Sequence, residues 1–337
     1  MAIIGRQGLE YLLRQGILAV SGHLPVSAFS IDIRLGRLFR SRYDLSDDIS
    51  QEEFLDLVEE IQIPEEGIVV TPHDFYVWTS KEEIFIPRGL GGEITSRSSF
   101  ARMGCRVEDA DDYLRRFHDN VWTSPLSSLK TSTSLLLRKD DPLAQLFICY
   151  PTASYFEEDV LDMVSRGDLL IQRNGQRLSS DAVAYLDGIP LTMDKEIWLY
   201  HGGVIKPGFP TQDNFEKINL DKPLFLPRGA FFISASQESI ELPDYSVGYV
   251  SESGIVNVPL EQLPNYVPPF RSHAHAPYIG PKSVFRGKIT FENTMKRDGY
   301  VYPGMTQSRL VLFPLFDLGS ADKSVYNLQE GAALSKY

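Results

Sequence analysis

Two stretches of this chain repeat each other at a fixed distance. Phe75–Pro87 reads FYVWTSKEEIFIP, and Phe231–Pro243, 156 positions further on, reads FFISASQESIELP. Phe75 stands against Phe231, Tyr76 against Phe232, Val77 against Ile233, Ser80 against Ser236, Glu82 against Glu238 and Pro87 against Pro243. Such self-similarity means one supersecondary plan built twice. Upstream, FSIDIRLGRLF (29–39) resembles LTMDKEIWLY (191–200), a match that pairs Asp32 with Asp194. The expected organisation is a domain over 1–152, a linker over 153–164, a second domain over 165–319 and a tail over 320–337. A length of 337 residues suits two domains.

The runs between turn residues are short and rich in Val, Ile, Phe, Tyr and Thr: GIVVTP, DFYVWTS, AFFISAS, KITFEN and RLVLFPLF. With 21 Pro and 25 Gly as punctuation, the pattern predicts an all-β fold, barrel or sandwich, with a few short helices. Helices are expected in the N-terminal segment, with Leu9, Leu12, Leu13 and Ile17 on one face, over Ser50–Ile61 with Ser50 as N-cap, and over Glu108–His118.

A net charge of −12 argues against broad nucleic-acid binding. No run of 18 apolar residues predicts a membrane helix, and two cysteines make no disulfide framework, which suits a cytoplasmic protein. Against that acidic background, EITSRSSFARMG (93–104) gathers two arginines and three serines within Ser96–Arg102. Guanidinium groups and hydroxyls in one turn suit a polyanion such as a triphosphate. At the repeat offset, Arg97 falls on Ser253, Ser98 on Gly254, Ser99 on Ile255 and Arg102 on Val258, so the second copy lacks the cluster. Conversely, Glu292 lies in mid-strand in the second copy, and the matching region of the first (121–139) holds no carboxylate. Each half keeps one part of a site.

These residues resemble the dCTP deaminase branch of the dUTPase-like superfamily. Arg97, Ser98, Ser99, Arg102 and Gly104 match its Arg-Ser-Ser-x-x-Arg motif and following Gly, and Ile289-Thr290-Phe291-Glu292 its Ile-Thr-Leu-Glu strand. Pro303-Gly304-Met305, Ser30-Ile31-Asp32-Ile33-Arg34-Leu35-Gly36 and the tail with Tyr326, Gln329, Gly331, Ala332, Ser335 and Lys336 match three further motifs. The resemblance implies two tandem distorted β-barrels of dUTPase-like (β-clip) type. It implies zinc-free deamination of dCTP to dUTP and ammonia, with Glu292 as general base and acid, and Ser98 and Arg102 orienting the water and Glu292. Arg97, Ser98 and Ser99 would contact phosphates, and His275 and Ala276 the base and sugar. Lys323, Tyr326 and Gln329 would lie in a tail that closes over the nucleotide.

Mg²⁺ would ride on the triphosphate, using mainly phosphate oxygens. Zinc deaminases carry H-x-E and P-C-x-x-C, and neither occurs here. The resemblance further implies a homo-oligomer, trimer before dimer, and raises feedback by dTTP. The two half-sites would combine into one composite site, within a chain or between subunits. The family's Asp-Pro-Gly turn is here Gly280-Pro281-Lys282, which counts against a second, pyrophosphate-releasing activity. A bifunctional deaminase–pyrophosphatase and an inactive nucleotide-binding regulator remain the alternatives, and the choice among dCTP, dCMP and CTP stays open.

Overall fold

The computed structural model describes residues 2–22, 26–41, 57–108, 126–150, 155–180, 183, 188–207, 212–251, 268–274 and 278–316. The chain is mostly β-strand, with short helices at Arg6–Arg14, Ser98–Ala101 and Glu157–Arg166. It divides into two compact units: Ile4–Pro151 with Gly202–Asn214, and Met1–Ile3 with Thr152–His201 and Phe215–Leu334.

In the N-terminal unit, one sheet runs Cys105–Glu108, Leu126–Thr131, Phe75–Ser80, Leu35–Ser41, Val58–Ile61. A second set of strands pairs Ala144–Tyr150 with Ile31–Ile33 and Gly91–Ser96. A third joins Ile68–Val70, Ser134–Leu137 and Val204–Ile205, so a piece of the second sequence half completes this unit. In the C-terminal unit, Phe231–Glu241 pairs with Ile189–Tyr200 and Gly287–Met295, and Thr306–Phe316 pairs with Ile189–Thr192 and Ser246–Ser251.

The repeat is a repeat of register. Ser80, Trp78 and Val77 oppose Leu35, Leu38 and Phe39, with a slip between Leu35 and Leu38. Ser236, Ser234 and Ile233 oppose Met193, Ile197 and Trp198, with a slip at the matching place. Asp32 faces Gln145 in the first copy, where Pro190 faces Arg309 in the second. Asp32 therefore corresponds to Pro190, and the match of Asp32 to Asp194 is corrected. Asp194 lies inside the slip, where the second copy carries an extra residue.

Both copies bury a glutamate at the start of that slip. Glu82 Oε2 accepts from Arg34 N at 2.9 Å, and Glu238 Oε2 accepts from Thr192 N at 2.8 Å. Each also meets an arginine: Arg34 Nε to Glu82 Oε1 at 2.7 Å, and Arg173 Nε to Glu238 Oε1 at 2.8 Å. The serine two residues earlier donates to the glutamate's own carbonyl in both copies. A backbone N–H where a ladder shifts needs another acceptor, and the carboxylate supplies it.

Three expectations are revised. Residues 58–61 form a strand, not the end of a helix, because Val58 and Ile61 pair with Ser41 and Leu38 and tertiary pairing overrides local propensity. Arg37 and Arg40 reach Glu60 and Glu59 across the same pair. Residues 50–56 lie outside the described residues, as do 109–118 of the other expected helix; Cys105–Glu108 is strand. The N-terminal helix stops at Arg14, leaving Ile17 exposed and Leu18 buried.

The segment 153–164, read as a linker, contains most of the helix Glu157–Arg166. Asp159 accepts from Phe156 N at 3.1 Å, three acidic residues fill the first turn, and Gly167 ends the helix in the left-handed region at φ 83°. Val160, Met163 and Val164 pack into the core with Ile171, Ile240, Leu310 and Leu312, so the segment is part of the C-terminal unit.

Glu238→Ala would leave Thr192 N and the Arg173 guanidinium without their acceptor. We expect a loss of about 2–4 kcal/mol in urea unfolding of the C-terminal unit.

Candidate active site

The strand Gly91–Ser96 pairs with Ala144–Tyr150 and delivers the chain to the arginine–serine turn. Arg97 N extends the pairing by donating to Leu143 O at 2.8 Å. Arg97 itself is extended (ψ 135°), and Ser98–Ala101 then makes one helical turn. Phe100 N and Ala101 N both donate to Arg97 O at 3.0 Å, and Arg102 N donates to Ser98 O at 3.1 Å. Ser99, Phe100, Ala101 and Met103 are buried, which fixes the turn from beneath.

Gly104 closes it at φ 84°. A Cβ there would stand 2.7 Å from Thr133 Cγ2, so both the conformation and the space call for glycine. Thr133 locks the turn by donating its hydroxyl to Met103 O, and Ser132 N donates to Gly104 O at 2.8 Å.

Arg97 and Ser98 are partly exposed, whereas Arg102 is wholly buried. The Arg97 guanidinium sits 3.3 Å from Asp32 Oδ2, and Gln145 Nε2 donates to Asp32 Oδ1 at 3.2 Å. A half-open pair of this kind adds little stability; its effect is to aim the guanidinium. Asp32 thus belongs with the motif, and so do Gln145 and Thr133. The signal was in the register: Pro190 and Arg309 stand where this copy has Asp32 and Gln145.

Glu292 lies in the middle of Gly287–Met295, a strand paired on both sides. It faces Ile233 on one neighbour and His273 on the other, and is buried at 2% exposure. A central strand is a stiffer support for a side chain than a loop. Ile233 corresponds to Val77, and Val77 faces Ser128. Ser128 is therefore the first-copy counterpart of Glu292, and Glu108 stands where the second copy has His273.

The other expected contacts, His275, Ala276, Lys323, Tyr326 and Gln329, lie outside the described residues. Gly280-Pro281-Lys282 opens a tight turn in which Val284 N and Phe285 N donate to Pro281 O at 2.8 and 2.9 Å, seating two buried side chains. Gly304 takes φ 86° and donates to Met193 O at 2.8 Å, so that motif is a turn against the slipped strand. Burial pushes the Cys105 thiol up to about 12 and the Cys149 thiol up to about 11, which leaves both protonated at neutral pH. Among the described residues no three His, Cys, Asp or Glu side chains gather as a metal site.

A family model described as dCTP deaminase-like matches residues 3–149, the copy that carries the arginine–serine turn. A "dCTP deaminase, dUMP-forming" from Corynebacterium kroppenstedtii is 33% identical over 121 residues, covering 32% of this chain and 64% of that protein. A "dCTP deaminase" from Natronomonas pharaonis is 31% identical over 139 residues, covering 39% of this chain and 71% of that protein. The match thus spans a little under two thirds of the first relative and somewhat more of the second. The crystal structure of 2'-deoxycytidine 5'-triphosphate deaminase from Agrobacterium tumefaciens superposes with a TM-score of 0.72 at 17% identity, over 94% of this chain and 99% of that one. At that identity the likeness establishes the fold, and it extends to both copies. The relationship to the Natronomonas protein goes further: this chain belongs to the dCTP deaminase family.

Proposed function

We propose that the chain hydrolyses dCTP to dUTP and ammonia without zinc, with Glu292 moving the protons. The observation that carries the reading is complementary loss between two copies of one register. One copy has the Arg97–Arg102 turn and Ser128, and the other has Glu292 and no arginine–serine cluster.

Deamination at C4 adds water to the ring carbon and expels the exocyclic amine. One base must take the water proton as the C–O bond forms. A proton must then reach N3 and, as the C–N bond breaks, the leaving ammonia. A single carboxylate beside N3 and C4 can do both in turn, and general acid–base work of this kind contributes about 10²–10⁴-fold. Arg102 and Ser98 orient the attacking water. Arg97, Ser98 and Ser99 meet phosphate oxygens. A guanidinium carries five N–H donors, so the contact with Asp32 leaves Arg97 able to serve a phosphate while being aimed. His275, Ala276, Lys323, Tyr326 and Gln329 complete nucleotide binding. Mg²⁺ enters on the triphosphate and neutralises part of its charge.

The product distinguishes two readings. Gly280, where an aspartate would activate water against phosphorus, supports release of dUTP. The Corynebacterium relative is named as dUMP-forming, which keeps a bifunctional enzyme as the second reading.

Incubating purified protein with dCTP and Mg²⁺ should yield ammonia and dUTP in equal amounts. Appearance of dUMP and pyrophosphate would establish the second reading, and saturable binding without ammonia would leave a regulator. Glu292→Gln should lower kcat by about 10²–10⁴-fold while still binding dCTP. Asp32→Asn should raise KM for dCTP about 10-fold with kcat little changed, because it releases a binding arginine. Removing divalent metal with EDTA should weaken dCTP binding, and Mg²⁺ alone should restore it.

A further inference from the structure

A chain of polar side chains crosses the core of the C-terminal unit directly behind Glu292. Asn293 Nδ2 donates to Ser234 Oγ at 2.8 Å, Ser234 Oγ donates to Gln307 Oε1, and Gln307 Nε2 donates to Ala235 O at 3.1 Å. All three side chains are completely buried. They tie together the strands Gly287–Met295, Phe231–Glu241 and Thr306–Phe316.

The first copy supplies the comparison. Asn293 faces Phe232 as Leu129 faces Tyr76, so Asn293 corresponds to Leu129. Ser234 corresponds to Trp78. Ser308 occupies the place of Ala144, and beyond the shift Met193 N donates to Met305 O as Leu35 N donates to Asp141 O, which sets Gln307 on Leu143. The first copy thus fills these three positions with Leu129, Trp78 and Leu143, all buried. It builds the same ladders and the same slip with a leucine, a tryptophan and a leucine at these places. The fold plan therefore does not require the network. Ser80 and Ser236, or Glu82 and Glu238, are the opposite case: polar and buried in both copies, and needed by the plan itself. Burying three polar side chains costs desolvation that apolar residues avoid. The copy with Glu292 places three polar side chains there, where the other places two leucines and Trp78, whose indole N–H is the one polar group among them and is itself buried.

We propose that Asn293, Ser234 and Gln307 are positioning residues for Glu292. Successive side chains on a strand point to opposite faces. The amide of Asn293, held on the core face, pins the backbone beside Glu292 from behind and fixes the direction in which the carboxylate leaves the strand. A hydrogen-bonded tether sets that direction more narrowly than leucine packing does, and a misplacement of about 1 Å at a reacting group costs about 10²-fold. The inference rests on Glu292 being the proton-transferring carboxylate.

The test is a triple variant, Asn293→Leu, Ser234→Ala and Gln307→Leu, alongside the isosteric pair Ser234→Thr and Ser234→Val. The triple variant should fold with a thermal midpoint at or above that of wild type. Its kcat for dCTP should fall about 10-fold or more, with KM within about twofold. Thr, which keeps the hydroxyl, should retain more kcat than Val, which has its shape alone; a packing role would move the two together. Wild-type kcat in the folded triple variant overturns the inference. So does a triple variant that does not fold, since the network would then be a requirement of the fold. A wild type that releases no ammonia fails the deaminase reading instead. In that event amide exchange at Phe291–Asn293 still decides the tether: faster exchange in the triple variant supports it, and unchanged exchange overturns it.

Discussion

The fold turns on a buried carboxylate at a break in a ladder. In each copy a strand passes from one partner to another, and at the crossing a backbone N–H must find an acceptor outside the regular pattern. Glu82 serves Arg34 N and Glu238 serves Thr192 N. The cation beside the carboxylate differs in origin: Arg34 is the very residue whose N–H is bound, whereas Arg173 comes from another strand. The acceptor is thus the invariant of the plan and the counter-charge its adjustable part. This follows from the energetics, because an orphaned buried N–H is costly whatever its surroundings, while a guanidinium can approach a carboxylate from several directions.

Once that crossing is secured, the two copies are free to differ elsewhere, and they do so in register-matched pairs. Glu292 stands against Ser128, Asp32 against Pro190 and Gln145 against Arg309. These pairs sort residues by role more sharply than burial does. Glu238 and Glu292 are both buried glutamates in the same unit. One recurs in the other copy with the same backbone partner, and the other does not.

Much of this was legible in the sequence, for identifiable reasons. The repeat could be read because a strand's side-chain period of two ties sequence spacing directly to pairing. The arginine–serine turn and Glu292 could be read because charged groups among apolar runs stand out. The match of Asp32 to Asp194 failed because it rested on one shared residue type, whereas the pairing of Asp32 with Gln145 and of Pro190 with Arg309 sets Asp32 on Pro190. Val58–Ile61 was misread because its neighbours in sequence favour helix while its partners, Leu38–Ser41, lie elsewhere in the chain. The Asn293–Ser234–Gln307 chain was invisible for a different reason. Each residue alone looks like an ordinary polar position in a strand, and only register shows that they meet.

Duplication explains how a core can tolerate such a chain. A single-copy protein must satisfy folding and chemistry with the same residues, so a buried polar network could be read as either. Here one copy demonstrates that Leu, Trp and Leu complete the plan, and the other departs from it at those three places beside the buried carboxylate of Glu292. Rigid strands suit this use. On a loop, the direction of a side chain follows local backbone freedom; on a strand paired on both sides, it follows the pleat, and the residue behind it can be used to hold that pleat. On the proposed role of Glu292, the polar load falls on its copy because there the direction of one side chain would matter more than the packing of three.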